Sequence, residues 1–192
     1  MIAIIKYNAG NIQSVENALY RLGYDCLVTD DACLIRNAGK VIFPGVGEAS
    51  SAMKYLKEKQ LDTLIQSLRQ PTLGICLGQQ LMCRHSEEGN TDCLSIFDAD
   101  VKKFPSTELV PHMGWNNLED LKGSLFNGIG EDDNVYFVHS YYAELSGKTT
   151  ASCRYILPFS AAMQKGNFYA TQFHPEKSAG VGERILKNFL EL

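Results

Sequence analysis

No cluster of lysine or arginine interrupts this sequence: 18 basic side chains are spread against 22 acidic ones over 192 residues, for a net charge of −4 and an isoelectric point near 5.6. That balance supplies no broad attraction for nucleic acid and leaves small uncharged or zwitterionic ligands open. Nor is there a long apolar run. The stretch IAII near the start is four residues long, shorter than a secretory leader requires, and no segment approaches the ~20 apolar residues of a membrane helix. Six cysteines, Cys26, Cys33, Cys76, Cys83, Cys93 and Cys153, are too few and too scattered for a disulfide framework. A soluble chain in a reducing, cytoplasmic setting is therefore expected, with neither nucleic acid nor membrane as partner. Repeats, low-complexity tracts and linkers are missing too. With 45% hydrophobic residues, the length fits one domain over residues 1–192.

In the first half, apolar runs of strand length alternate with helical patterns, the arithmetic of a mostly parallel sheet with helices on its faces. IAIIK reads as a buried strand and YNAGN as a turn. IQSVENALYRLG puts Ile12, Val15, Leu19 and Leu22 on one helical face and stops at Gly23. YDCLVTD and KVIFPG are further strands, and EASSAMKYLKEKQLDTLIQSLRQ reads as one long amphipathic helix ended before Pro71. PTLGI and LGQQLMCRH follow as strand and helix. From about Glu88 the pattern changes: CLSIFDADVKKF, NVYFVHSYYAEL, TTASCRYI, FSAAMQ and NFYATQF are strands without long helices between them. They predict hairpins and mixed pairing, with KGN as a turn. SAGVGERILKNFLEL returns to helix.

The segment GICLG places Cys76 between Gly74 and Gly78, at a junction of predicted strand and predicted helix. A small residue two before and two after a nucleophile is the geometry of a nucleophile elbow. There the helix N-terminus favours the thiolate. On this pattern alone, a buried structural cysteine remains equally open. The other five cysteines lack flanking glycines and read as core or surface thiols. A metal site from Cys76, Cys83, His85 and Cys93 does not match the paired short spacings of zinc modules, so none is expected.

A nucleophilic cysteine needs a base, from His85, His112, His139 or His174. His85 falls late in the helix that Cys76 opens and reads as a polar surface group. His174 stands in TQFHPEKS at a strand end, and Glu176, two residues on, can accept the second imidazole N–H and fix its tautomer. For the oxyanion, the Leu77 N–H follows the nucleophile, and FPGVGEAS offers a second glycine-rich strand end at Pro44 to Gly47. Gly45, Gly47 and Ser50 also approximate a dinucleotide fingerprint, but the third position is not glycine and no acid ends a strand about 20 residues later.

Together the elbow, the glycine loop and HPE resemble the class I glutamine amidotransferases, an α/β flavodoxin-like fold with a central, mostly parallel sheet and a smaller mixed sheet in the second half. The likeness runs from YNAGNIQSV to LKNFL. It implies that Cys76 attacks the glutamine carboxamide to form a thioester, that His174 moves the protons and that Glu176 orients His174. It further implies an oxyanion hole of Leu77 with the loop at Val46 and Gly47, and a substrate pocket of Gln80, Ser140 and Tyr141. No cofactor is implied. PHMGWN and the lysine of HPEKS are narrower features, and they resemble subunits that feed ammonia to a (β/α)8-barrel cyclase of histidine biosynthesis as heterodimers. Such a barrel takes about 250 residues, so the acceptor site is expected on another chain or a fused gene product. Asn11, Met113, Trp115 and Lys177 are then the expected interface residues; without the resemblance Trp115 reads as core. Lys6 and Gln79 depart from the family pattern. A non-catalytic binding or scaffold protein with a vestigial sheet is the rival of a different class, against which the complete Cys, His, Glu set counts.

Overall fold

The computed structural model describes residues 1–8 and 10–192; Ala9, inside the expected YNAGN turn, lies outside them. The first half alternates as β1 (Ile2–Ile5), α1 (Ile12–Arg21), β2 (Cys26–Thr29), α2 (Ala32–Asn37), β3 (Lys40–Phe43), α3 (Ala49–Glu58), α4 (Leu61–Ser67), β4 (Thr72–Ile75) and α5 (Leu77–Met82). The second half is mainly strand: β5 (His85–Ser86), β6 (Thr91–Asp92), β7 (Asp100–Lys103), β8 (His112–Asn117), β9 (Asn134–His139), β10 (Tyr141–Ala143), β11 (Thr149–Arg154), β12 (Pro158–Lys165) and β13 (Phe168–Thr171). Helix α6 (Ala179–Leu190) follows.

Seven strands form the main sheet in the order β11-β12-β13-β4-β3-β1-β2. Its five strands from β13 to β2 run parallel, and β12 and β11 add an antiparallel edge. A mixed sheet, β10-β7-β5-β6, and an antiparallel pair, β8-β9, lie apart from it. The inner parallel strands β13, β4, β3 and β1 are buried on both faces, so they read as largely apolar runs, whereas the edge strand β2 is partly exposed. Side chains alternate between faces: in β1, Ala3 and Ile5 join one core layer while Ile2 and Ile4 join the other. The first layer takes Met53 and Leu56 of α3, Leu64 and Ile65 of α4 and Leu81 of α5. The second takes Val15 and Leu19 of α1 and Ile185 and Phe189 of α6. At ~1.5–3 kcal/mol for each large apolar side chain buried, these two layers hold the helices to the sheet.

Several elements differ from the sequence reading: of CLSIFDADVKKF only Asp100–Lys103 is strand, and His112–Asn117 is an additional strand. The long helix is two: Gln60 adopts a left-handed conformation, φ 56°, between α3 and α4. Its N–H bonds to Lys57 O rather than continuing the helical ladder, and no glycine or proline announces the break. Helix α5 stops at Met82, because Leu94, Ile96 and Phe97 N–H groups donate to Leu81 and Met82 carbonyls and cap its end from outside. His85 thus lies in β5 rather than late in a helix, and its Nδ1 is 3.0 Å from Asp92 Oδ1. Helix α2 is additional, started by Asp31, whose side chain accepts from Cys33 and Leu34 N–H.

Because the strands are parallel, the carboxyl ends of β3, β4 and β13 open on one edge. The PGVG loop, Cys76 and QFHPE follow those strands directly. In open α/β sheets this edge is where ligands bind.

Candidate active site

Cys76 sits at φ 53°, ψ −106°, a backbone conformation that a side-chain-bearing residue adopts only where its surroundings compel it. The close approach of its neighbours supplies that compulsion. A Cβ on Gly78 would lie 1.9 Å from Phe43 O, and one on Gly74 would lie 2.9 Å from the carbonyl carbon of Gly78. The Cys76 N–H donates to Thr171 O at 2.7 Å, tying the turn to the neighbouring strand β13.

The end of β13 brings the second group. His174 is fully buried, and its Nδ1 lies 2.7 Å from Glu176 Oε1. Its Nε2 and the second carboxylate oxygen of Glu176 are buried without a hydrogen-bond partner among the described residues. Burial opposes charge on this imidazole, but the nearby Cys76 sulfur and the hydrogen-bonded Glu176 carboxylate outweigh burial and push His174 up to about 10. The arrangement can therefore keep a proton on His174 beside the sulfur at neutral pH. Asn11, expected at an interface, also donates its side-chain amide to Glu176 Oε1.

Around the sulfur lies a cleft of about 270 Å³ lined by Val46, Gly47, Cys76, Leu77, Gln80, Glu88, Pro111, Val138, His139, Ser140 and Tyr141. All three expected oxyanion positions and all three expected pocket positions are on its wall. The Leu77 N–H donates to Gly45 O at 3.2 Å, so in this structure it is occupied by the PGVG loop. Gln80 is buried and its amide donates both to Tyr141 O, 2.9 Å, and to Gln172 Oε1, 3.0 Å. Gln172, fully buried, donates its own amide to Cys76 Sγ at 3.7 Å.

Several of these groups escaped the sequence reading. Glu88 brings a carboxylate to the cleft; burial holds it above its ordinary range, although it accepts the Ala49 N–H at 2.8 Å. Its signal was only a strand-poor acidic stretch. Gln172 was visible as the first letter of QFHPE, and nothing marked it apart from its neighbours. Gln79, which departs from the family pattern, donates to Ser160 O at 2.8 Å and pins α5 to β12.

His112 and His139 form a buried pair, Nδ1 to Nε2 at 3.0 Å. Burial pushes His112 down to about 4 and His139 down to about 3, the latter despite a bond to Tyr141 O. Both stay neutral in the folded chain while the unfolded chain binds protons below about pH 6.5. Between about pH 6.5 and 4 the unfolded state holds more protons, so stability falls as pH falls. In His112→Phe one such group is gone. Urea unfolding across this interval is expected to show a shallower loss than wild type, by up to about 1.4 kcal/mol per pH unit. Equal slopes in the two proteins would mean that His112 takes up its proton while folded.

Three of the four expected interface residues face outward: Met113 is 63% and Trp115 55% exposed, and Lys177 is exposed, whereas Asn11 is half-buried with its amide on Glu176. Trp115 is thus not core, its ring packing only edge-on against Tyr136. Among the described residues no group of three His, Cys, Asp or Glu could hold a metal ion, and no helix is long and apolar enough to cross a membrane.

The strained cysteine elbow, the buried His174 and Glu176 pair and the glycine loop thus gather at the ends of neighbouring parallel strands. The family model for glutamine amidotransferase class-I matches residues 3–192, and the chain belongs to that family. Within it the chain is similar to imidazole glycerol phosphate synthase subunit HisH: 62% identical to that of Bacteroides fragilis, covering 100% of this chain and 99% of the relative. Identity to HisH of Escherichia coli is 46% at the same coverage. Among solved structures, a glutamine amidotransferase at 20% identity superposes with a TM-score of 0.77 over 100% of this chain and 98% of that one, a likeness of fold.

Proposed function

We propose that residues 1–192 form one type-1 glutamine amidotransferase domain that hydrolyses glutamine to glutamate and ammonia in the cytoplasm. The ammonia passes to a (β/α)8-barrel cyclase partner that makes imidazole glycerol phosphate and AICAR in histidine biosynthesis. The carrying observation is the Cys76 elbow opening on the cleft, tied to strand β13, whose end carries the buried His174 and Glu176 pair; full-length similarity to HisH supports the partner and pathway.

The chemistry follows from the placement of protons. With the proton on His174, the Cys76 sulfur is free to attack the carboxamide carbon, forming a C–S bond and an oxyanion. The C–N bond then breaks as His174 Nε2 gives its proton to the departing ammonia, leaving a glutamyl thioester. A water attacks the thioester carbon while His174 takes its proton, and the C–S bond breaks to release glutamate. Glu176 holds the tautomer throughout. Glu88 offers its negative charge to the substrate ammonium, and the Ser140–Tyr141 backbone and Gln80 hold the amino-acid end.

The oxyanion needs donors, and the Leu77 N–H is bonded to Gly45 O. Turning the PGVG loop would free Leu77 and swing a Val46 or Gly47 N–H toward the cleft. Partner docking on Met113 and Trp115, with Asn11 and Lys177 near the ammonia exit, is what drives that turn. Glutamate release from the isolated chain is therefore expected to be slow, and to rise by about 10²–10³ when the cyclase and its nucleotide ligand are added, the worth of an oxyanion donor. A coupled glutamate assay measures it; the same rate with and without both additions would sink the coupling.

A further inference from the structure

We infer that His112 and His139 are positioning residues: they form the inner half of a hydrogen-bonded network that runs from the docking strand β8 to the Cys76 sulfur and fixes the glutamine-holding wall. This rests on the glutaminase reading. The network has one consistent direction. Tyr141 O can only accept, so His139 carries its proton on Nδ1 and donates at 2.8 Å. Its Nε2 is then an acceptor, and His112 Nδ1 donates to it at 3.0 Å. His112 Nε2 in turn accepts from the Asn116 amide at 3.4 Å. From the other side Gln80 donates to the same Tyr141 carbonyl and to Gln172, which reaches Cys76 Sγ.

Every ring in the chain is held. His112 and His139 are cross-strand partners in the β8-β9 register. His112 is stacked between Tyr155, centroids 4.2 Å apart at 14°, and Phe137, 4.8 Å at 23°. Asn116 is fixed by a further donation to Arg154 O at 3.2 Å. Burial keeps both rings neutral, as this direction requires. In a buried site such a chain is cooperative, and a broken link leaves partners unsatisfied. The opposite face of β8 carries the exposed Met113 and Trp115, so a partner seated there presses on the strand that holds His112 and Asn116.

The test compares His112→Phe, which retains stacking but donates nothing, with His112→Asn, whose amide can replace the Nδ1 donor. With the cyclase and its nucleotide present, His112→Phe should raise KM for glutamine about five- to tenfold, with the larger part of the loss of kcat/KM in KM, and His112→Asn should restore most of it. If both variants only lower the unfolding temperature and leave KM alone, the pair is structural and the inference falls. Independently of activity, imidazole 15N spectra of wild type should show both rings as single Nδ1–H tautomers; averaged tautomers would overturn the relay even if His112→Phe fails to fold. Should wild type release no glutamate with the cyclase present, the glutaminase reading fails, while the ring spectra still judge the relay.

Discussion

Cys76→Ala releases no measurable glutamate from glutamine, in isolation or with the cyclase, while its unfolding transition stays close to that of wild type. The reason lies in the division of labour at the elbow. The strained backbone is imposed by Gly74, Gly78 and the Thr171 carbonyl, none of which alanine disturbs. Only the sulfur goes, and without it there is no acyl acceptor and no charge to hold the proton on His174. Residues that act as one unit lose activity together, so Cys76→Ala, His174→Ala and the double variant should all fall by on the order of 10⁴ or more, with the double no worse than the worst single. Full activity in Cys76→Ala would remove the nucleophile assignment. Near-additive losses would separate the two residues into independent roles.

The second large effect is on the elbow itself. In a helix, glycine to alanine ordinarily stabilises by about 1 kcal/mol. At Gly78 the sign reverses, because the new Cβ would meet the Phe43 carbonyl oxygen at 1.9 Å and its carbon at 3.1 Å. Both are backbone at the end of β3, which pairs with β4 at Gly74, so no flexible side chain can yield. Either α5 lifts away from the sheet or β3 moves with its PGVG loop. Gly78→Ala is expected to lose at least about 3 kcal/mol in urea unfolding, the upper range for overpacking a core. The folded fraction should also lose glutamate release, since either movement displaces Cys76. A variant as stable as wild type would show that α5 packs less closely on β3 than described.

The tight turn was legible in the letters GICLG, because a small residue two before and two after Cys76 is the pattern of an elbow; that Gly78 presses on the Phe43 carbonyl was not. The parallel strands were legible as well: IAII and KVIF are apolar without alternation, which suits burial on both faces. Elements governed by distant partners were not. Gln60 breaks a helix with no local sign, and α5 ends at Met82 because a loop more than ten residues downstream caps its carbonyls. At the site, His174 and Glu176 could be read because they are two residues apart. His112, His139, Gln172 and Glu88 could not, since their meeting depends on the β8-β9 pairing and on a cleft assembled from separate segments.

The Leu77 N–H bonded to Gly45 has a consequence for the cell that holds this chain. Glutamine is a common nitrogen store, and an always-open thiol would leak it as free ammonia. On the proposed function, the bond that would close the leak is a single 3.2 Å contact, worth a net of about 1 kcal/mol, whereas an oxyanion donor is worth about 10²–10³ in rate. A weak latch would thus govern a strong effect. On that function, little of a partner's binding energy would be needed to release it, and the latch would reset when the partner leaves.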